Sequence, residues 1–187
     1  SRGLHTGRAL PLDIPAARTL TPPGGQNMIS GGVTSGPFFS FPLGGAVAFA
    51  GSRHGSPFPV APVVSTVLSA GGSVRVGCAP GVDAAVRSCC PSVVVLRASF
   101  FPGPSRARLA ARTRAVVAGA SALAVFPPTG GVLDPGSTLA IRCAIITSSG
   151  LSVWCAGPRP SVPASWSPLG LAGLSGWVCW PEPRLSF

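Results

Sequence analysis

The chain has 187 residues, nearly half of them apolar (46%), enough to bury the core of one domain with irregular ends. Fourteen basic residues oppose four acids for a net charge of +10, and every basic residue is Arg. That balance points to polyanionic partners, whether nucleic acid, nucleotide or an anionic surface, although an Arg-rich, GC-rich reading frame produces the same charge.

In chain order, residues 1–44 are rich in Pro, Gly, Ser and Thr without sustained period, and are expected to be irregular. Met28, the only Met, is a candidate natural start. The apolar run at 45–51, ending in Gly, predicts a buried strand. The run at 58–72 predicts a helix ending at Gly71–Gly72, provided Pro62 falls in its first turn. A second strand is expected at 73–78, a short helix at 82–90 stopped by Pro91, and a third strand at 92–98. The clearest helix is 105–120, with Leu109, Val116 and Val117 on one side and arginines around them. Next come a fourth strand (121–127), a Gly-rich loop (128–136), a helix (137–150) with Ser137 or Thr138 as N-cap, and a fifth strand (151–157). Residues 158–187 return to Pro, Ser and Gly, with Trp166, Trp177 and Trp180 read as cover for a sheet edge.

Strand and helix alternate five times within about 110 residues, and the strands are continuous apolar runs. This pattern predicts an α/β fold: a single Rossmann-like, doubly wound, mostly parallel sheet of about five strands. The domain is expected at 45–158, between an irregular N-terminal segment (1–44) and an irregular C-terminal tail (159–187). Such sheets bind ligands at the carboxyl ends of their strands.

The residues at those ends are therefore the candidates. After the first strand stand Gly51, Ser52 and Arg53, the last a forked donor suited to phosphate. His54 has no acid near it in sequence. After the second strand, Gly77 and Gly81 are expected to let the backbone approach a ligand, ahead of a helix N-terminus. Asp83 has two readings: complement and cap of its helix, or acceptor for a sugar or base hydroxyl. Arg106, Arg108, Arg112 and Arg114 give the long helix a basic face. After the fourth strand, Thr129, Gly130, Gly131, Gly136, Ser137 and Thr138 combine a Gly-rich loop, hydroxyls and a helix start, the parts of a phosphate cradle. The Walker A ending and a GxGxxG after the first strand are both missing, which disfavours ordinary ATP and NAD sites.

Six Cys (78, 89, 90, 143, 155, 179) show no CxxC pair and no His at ligand spacing, so no metal site is expected; reduced thiols are the reading. The most apolar stretch, 29–50, is broken by Pro37, Pro42 and glycines, short of the roughly 20 continuous residues of a span. No membrane partner and no signal peptide are expected, and the localisation read is cytoplasmic.

Four segments, in order, resemble the SLOG superfamily of Rossmann-like domains, which includes the DNA-processing protein A (DprA) family and, more distantly, the Lonely Guy phosphoribohydrolases. Gly51, Ser52 and Arg53 match a G-S-R turn. Gly77, Ala79, Gly81, Val82 and Asp83 match G-x-A-x-G-[IV]-D. "RTRAVVAGAS" (112–121) resembles R-N-R-I-I-[AS]-G-L-S, and "PGSTLAI" (135–141) resembles S-G-S-L-[IT]. The likeness spans roughly residues 45–158. It implies a nucleotide or nucleotide-derived ligand at the sheet edge, bound without catalysis, and no certain cofactor. It equally implies a DprA-like single-stranded DNA reading through Arg53, Arg106, Arg112 and Arg114, and a homodimer by analogy. A phosphoribohydrolase is disfavoured, because the Glu of P-G-G-x-G-T-x-x-E is replaced near Ala140 or Ile141. No catalytic residue is assigned, and Asp83 and Asp134 are the only acids placed for such work. A decayed or spurious frame without function is the remaining alternative.

Overall fold

In the computed structural model, residues 40–146 and 150–181 are described. The elements are β1 (Ala46–Gly51), α1 (Ala61–Ser69), β2 (Ser73–Val76), α2 (Val82–Cys89), β3 (Val94–Val95), a 3-10 turn (Ala98–Phe100), α3 (Ser105–Ala118), β4 (Ala122–Phe126), α4 (Pro135–Ile146), β5 (Ser152–Ala156), β6 (Trp166–Pro168) and β7 (Gly176–Cys179). They form one seven-stranded sheet in the order β3-β2-β1-β4-β5-β7-β6. The first five strands are mutually parallel, and β7 and β6 add antiparallel beyond β5.

Alternation along each strand divides the core into two layers. Val47, Phe49, Val74, Val76, Phe126 and Trp154 meet Val63, Val64 and Val67 of α1 and Val82 and Val86 of α2. On the opposite face, Ala48, Leu123, Val125 and Val153 meet Val116 and Val117 of α3 and Ala140, Ile141 and Ala144 of α4. Helices therefore cover both faces, the doubly wound Rossmann-like arrangement predicted from the continuous apolar strands. Aromatic rings tie the central strands together: Phe49 stacks on Phe126 at 6.0 Å, and Trp154 meets Phe126 edge-on at 5.9 Å.

Local sequence explains most element ends. Pro62 does lie in the first turn of α1, where no amide is needed, and Gly71 comes after the helix with φ +76°. Two expectations need correction. The third strand, expected over 92–98, shortens to Val94–Val95, because it lies at the sheet edge with β2 as its one neighbour, and the chain then enters the 3-10 turn. The C-terminal stretch expected to be an irregular tail carries β6 and β7, so the sheet has seven strands rather than about five. Trp154 Nε1 donates to Leu169 O at 2.9 Å, and Trp166 Nε1 donates to Val162 O at 2.9 Å, so the tryptophans' polar atoms fasten this segment to the sheet. Of the segment expected to be irregular at 1–44, only residues 40–44 are described, and they carry no strand or helix.

Cys78, Cys89, Cys90 and Cys155 are free thiols; Cys90, Cys155 and Cys179 are buried. Among the described residues, no helix is long and apolar enough to cross a membrane, and no three His, Cys, Asp or Glu side chains gather as metal ligands.

Candidate functional site

β1 lies between β2 and β4. The chain winds outward from β1 through β2 to β3, then crosses back to place β4 on the other side. The crevice outside the carboxyl ends of β1 and β4 is thus the topological switch point, where open α/β sheets bind ligands. A cavity of about 510 Å³ opens there. Its walls are the end of β1 with Arg53, the loop before α2 with Gly77 and Ala79, Asp83 in the first turn of α2, the inner side of α3, and Asp134 with the start of α4 as far as Ala140. Its floor is apolar, through Phe49, Leu109, Val116, Val117 and Leu139. This size and lining fit a small organic ligand carrying a few polar groups.

At the centre of one wall, Arg112 Nη1 donates to Asp83 Oδ2 at 2.8 Å, and both side chains are buried. The same oxygen accepts the Ala79 N–H at 3.0 Å. Arg87 donates to the Gly77 and Ala79 carbonyls at 3.0 and 3.2 Å and so fastens the loop from below. Burial pushes the Asp83 carboxyl above its ordinary range; the Arg112 guanidinium, the Ala79 amide and Arg87 oppose that shift without cancelling it.

This pair corrects three expectations. Arg112 is not part of an exposed basic face. It shares the inward side of α3 with Leu109 and Val116, three residues before and four after, and is 8% exposed. Asp83 does not cap α2: the N-cap is Gly81, with no side-chain bond, and the carboxylate reaches back to Ala79 instead. Gly77 gives room to protein rather than to a ligand, since a Cβ there would lie 1.3 Å from Arg112 Nη1 and 2.6 Å from Asp83 Oδ2. Gly81 behaves similarly. It sits at φ +71°, and a Cβ would fall 2.2 Å from Ser52 O, which also accepts the Val82 amide.

The opposite wall is the start of α4. The predicted caps Ser137 and Thr138 lie inside the helix, because it begins at Pro135. Asp134 is the cap: its Oδ1 accepts the Ser137 N–H at 2.7 Å, and its carbonyl accepts the Thr138 N–H at 2.9 Å. The Ser137 hydroxyl is thereby spared, and it is buried in the crevice wall with no partner. Arg112 Nε is likewise buried without one.

Of the predicted site residues, Gly51, Arg53, Gly77, Asp83, Arg106, Arg112, Gly136 and Ser137 converge on the crevice. Ser52, Gly81, Thr129, Gly130, Gly131, Thr138 and Arg114 do not line it. Ser52 is buried and accepts the His54 amide within its own loop; Gly131 packs against Pro158; Thr129, Gly130 and Arg114 are exposed elsewhere. His54 is exposed and off the wall. Arg53 and Arg106 are exposed at the crevice, and among the described residues no carboxylate pairs with either. Both crevice carboxylates are engaged, Asp83 by Arg112 and Ala79, Asp134 by the first turn of α4. The apolar floor went unpredicted because its residues read as ordinary core in the sequence.

No family model and no curated protein matches the chain. Among solved structures it is similar to DNA processing protein A from Helicobacter pylori, described for its single-stranded DNA binding mode, at 18% identity and a TM-score of 0.47. The likeness covers 61% of this chain and 66% of that one, so the chain spans just under two thirds of that structure. The strand order and the crevice residues, rather than this likeness, define the candidate site.

Proposed function

We propose that the crevice binds a nucleotide or nucleotide-derived ligand, without catalysis, in the manner of a SLOG-type domain. The observation that carries this reading is the pair of orphaned buried polar atoms, Ser137 Oγ and Arg112 Nε, in the walls of one cavity. Buried polar groups without partners are costly and uncommon, and a small shift of these two side chains toward a polar ligand group in the crevice relieves that cost. Asp134 already takes the Ser137 and Thr138 amides of α4, so a phosphate is drawn instead by the unpaired positive charge of Arg53 and Arg106 at the opening, and the apolar floor accepts a base.

Thermal melts with AMP, ADP, NAD and ADP-ribose test the proposal. A ligand at about 100 times its Kd stabilises by about 2.7 kcal/mol, which raises the melting temperature by several degrees. Ser137→Ala removes an unsatisfied buried hydroxyl, so it leaves the unliganded melt unchanged or higher while reducing the ligand shift. No shift with any of these ligands in the parent protein rejects the reading.

A second reading, single-stranded DNA, is favoured by exposed Arg114 on α3, which adds positive charge outside the crevice wall. Under it, oligo-dT raises the melt where mononucleotides do not, and the shift collapses with salt.

A further inference from the structure

Resting on the proposed anion-binding crevice, we infer that ligand entry draws Arg112 partly away from Asp83 and is coupled to uptake of one proton by that carboxylate. The geometry supplies each part. Arg112 uses Nη1 on Asp83, leaves Nε buried without a partner, and lines the cavity, so its guanidinium has spare donor capacity that a small shift of the side chain turns toward a ligand. Asp83 lines the same cavity, 5% exposed, with its Oδ2 already serving both Arg112 and the Ala79 amide. A ligand anion at the crevice therefore shares Asp83's counter-ion and brings a second negative charge beside it.

Both effects favour the neutral carboxyl, and burial already pushes Asp83 in that direction. The other charged groups around it do not remove the coupling. Arg87, on the same helix, is committed to the Gly77 and Ala79 carbonyls. Arg53 and Arg106 are exposed at the opening, where solvent screens them. Asp134, across the crevice, is held by the Ser137 amide and adds negative charge, which acts in the same sense as the ligand. A carboxyl that gains a proton on binding makes the anion bind more tightly as pH falls, by up to tenfold per pH unit for one proton.

Sulfate is the probe, because its own charge is constant from about pH 5 to about pH 8. Binding to the full chain is measured by calorimetry in two buffers of different ionisation heat. The expected result is a heat that differs between buffers in proportion to a proton taken up, and a Kd that rises with pH. Asp83→Asn is expected to abolish both, whereas His54→Ala, which alters the other titratable side chain on the neighbouring loop, retains them. The buffer comparison needs no variant, so a poorly folded Asp83→Asn protein does not rescue the idea. Measurable sulfate binding with no buffer dependence overturns the coupling and leaves the crevice reading standing. Binding of AMP but not of sulfate also overturns it, because the inference requires a bare anion to reach Arg112. Failure of both sulfate and AMP to bind overturns the crevice reading and the coupling together.

Discussion

Replacing Arg112 with Met leaves a buried carboxylate without its counter-ion. Asp83 is 5% exposed, and the remaining hydrogen bond to its Oδ2 comes from the Ala79 amide. Breaking one side of a buried pair costs about 3–5 kcal/mol. For a chain of 187 residues, at about 2–4 °C per kcal/mol, the melting temperature should fall by about 6–20 °C. The deficit should also depend on pH. The folded pKa of Asp83 lies above the ordinary value of 3.8, so its contribution to stability is fully present below that value and is lost as pH rises through the folded pKa. Loss of Arg112 raises the folded pKa further, so the Arg112→Met deficit shrinks on acidification. The double variant Asp83→Leu with Arg112→Met should recover most of the loss, since apolar residues of similar size replace buried ion pairs at little cost. Urea unfolding of the four proteins, followed by circular dichroism at two pH values, completes the cycle. A single-variant cost under about 1 kcal/mol, typical of a solvated pair, would refute burial as the governing fact.

Gly77→Ala should destabilise the protein as strongly as Arg112→Met and not additively with it, because the new Cβ would occupy the position of Arg112 Nη1; additivity in a double variant would contradict this. Truncation after residue 158 should abolish the cooperative melt, because it strips β7 from β5 and removes the Leu169 carbonyl from buried Trp154; a truncated chain that melts like the parent would show the added strands to be dispensable. In a native thiol titration, exposed Cys78 and Cys89 should react first, and Cys155, whose thiol burial pushes up to about 12, only on unfolding; fast native labelling of Cys155 would contradict the packing of β5.

By itself the sequence determined the layered architecture. Continuous apolar runs at 45–51, 121–127 and 151–157 are buried on both faces, and this requires helices above and below the sheet. Glycines and prolines set the helix ends, so Pro62 and Gly71 were legible as boundaries. Strand order came only from the pairing of elements far apart in the chain, which brought Arg53, Asp83, Arg106 and Ser137 to one crevice. The spacing of Leu109, Arg112 and Val116 held a sign that Arg112 faces inward, but charge argued for solvent, and only its partner on another helix decided the matter. The same holds for Ser137: its helix start was readable, yet Asp134 took the cap and left the hydroxyl over. β6 and β7 were hidden because short strands among Pro, Gly and Ser carry little period, and their stability comes from β5 and the tryptophans they pack against. Local residues dictate where a chain turns and which faces are apolar; which buried charges meet, and which polar atoms remain unsatisfied, depends on contacts that no local stretch contains.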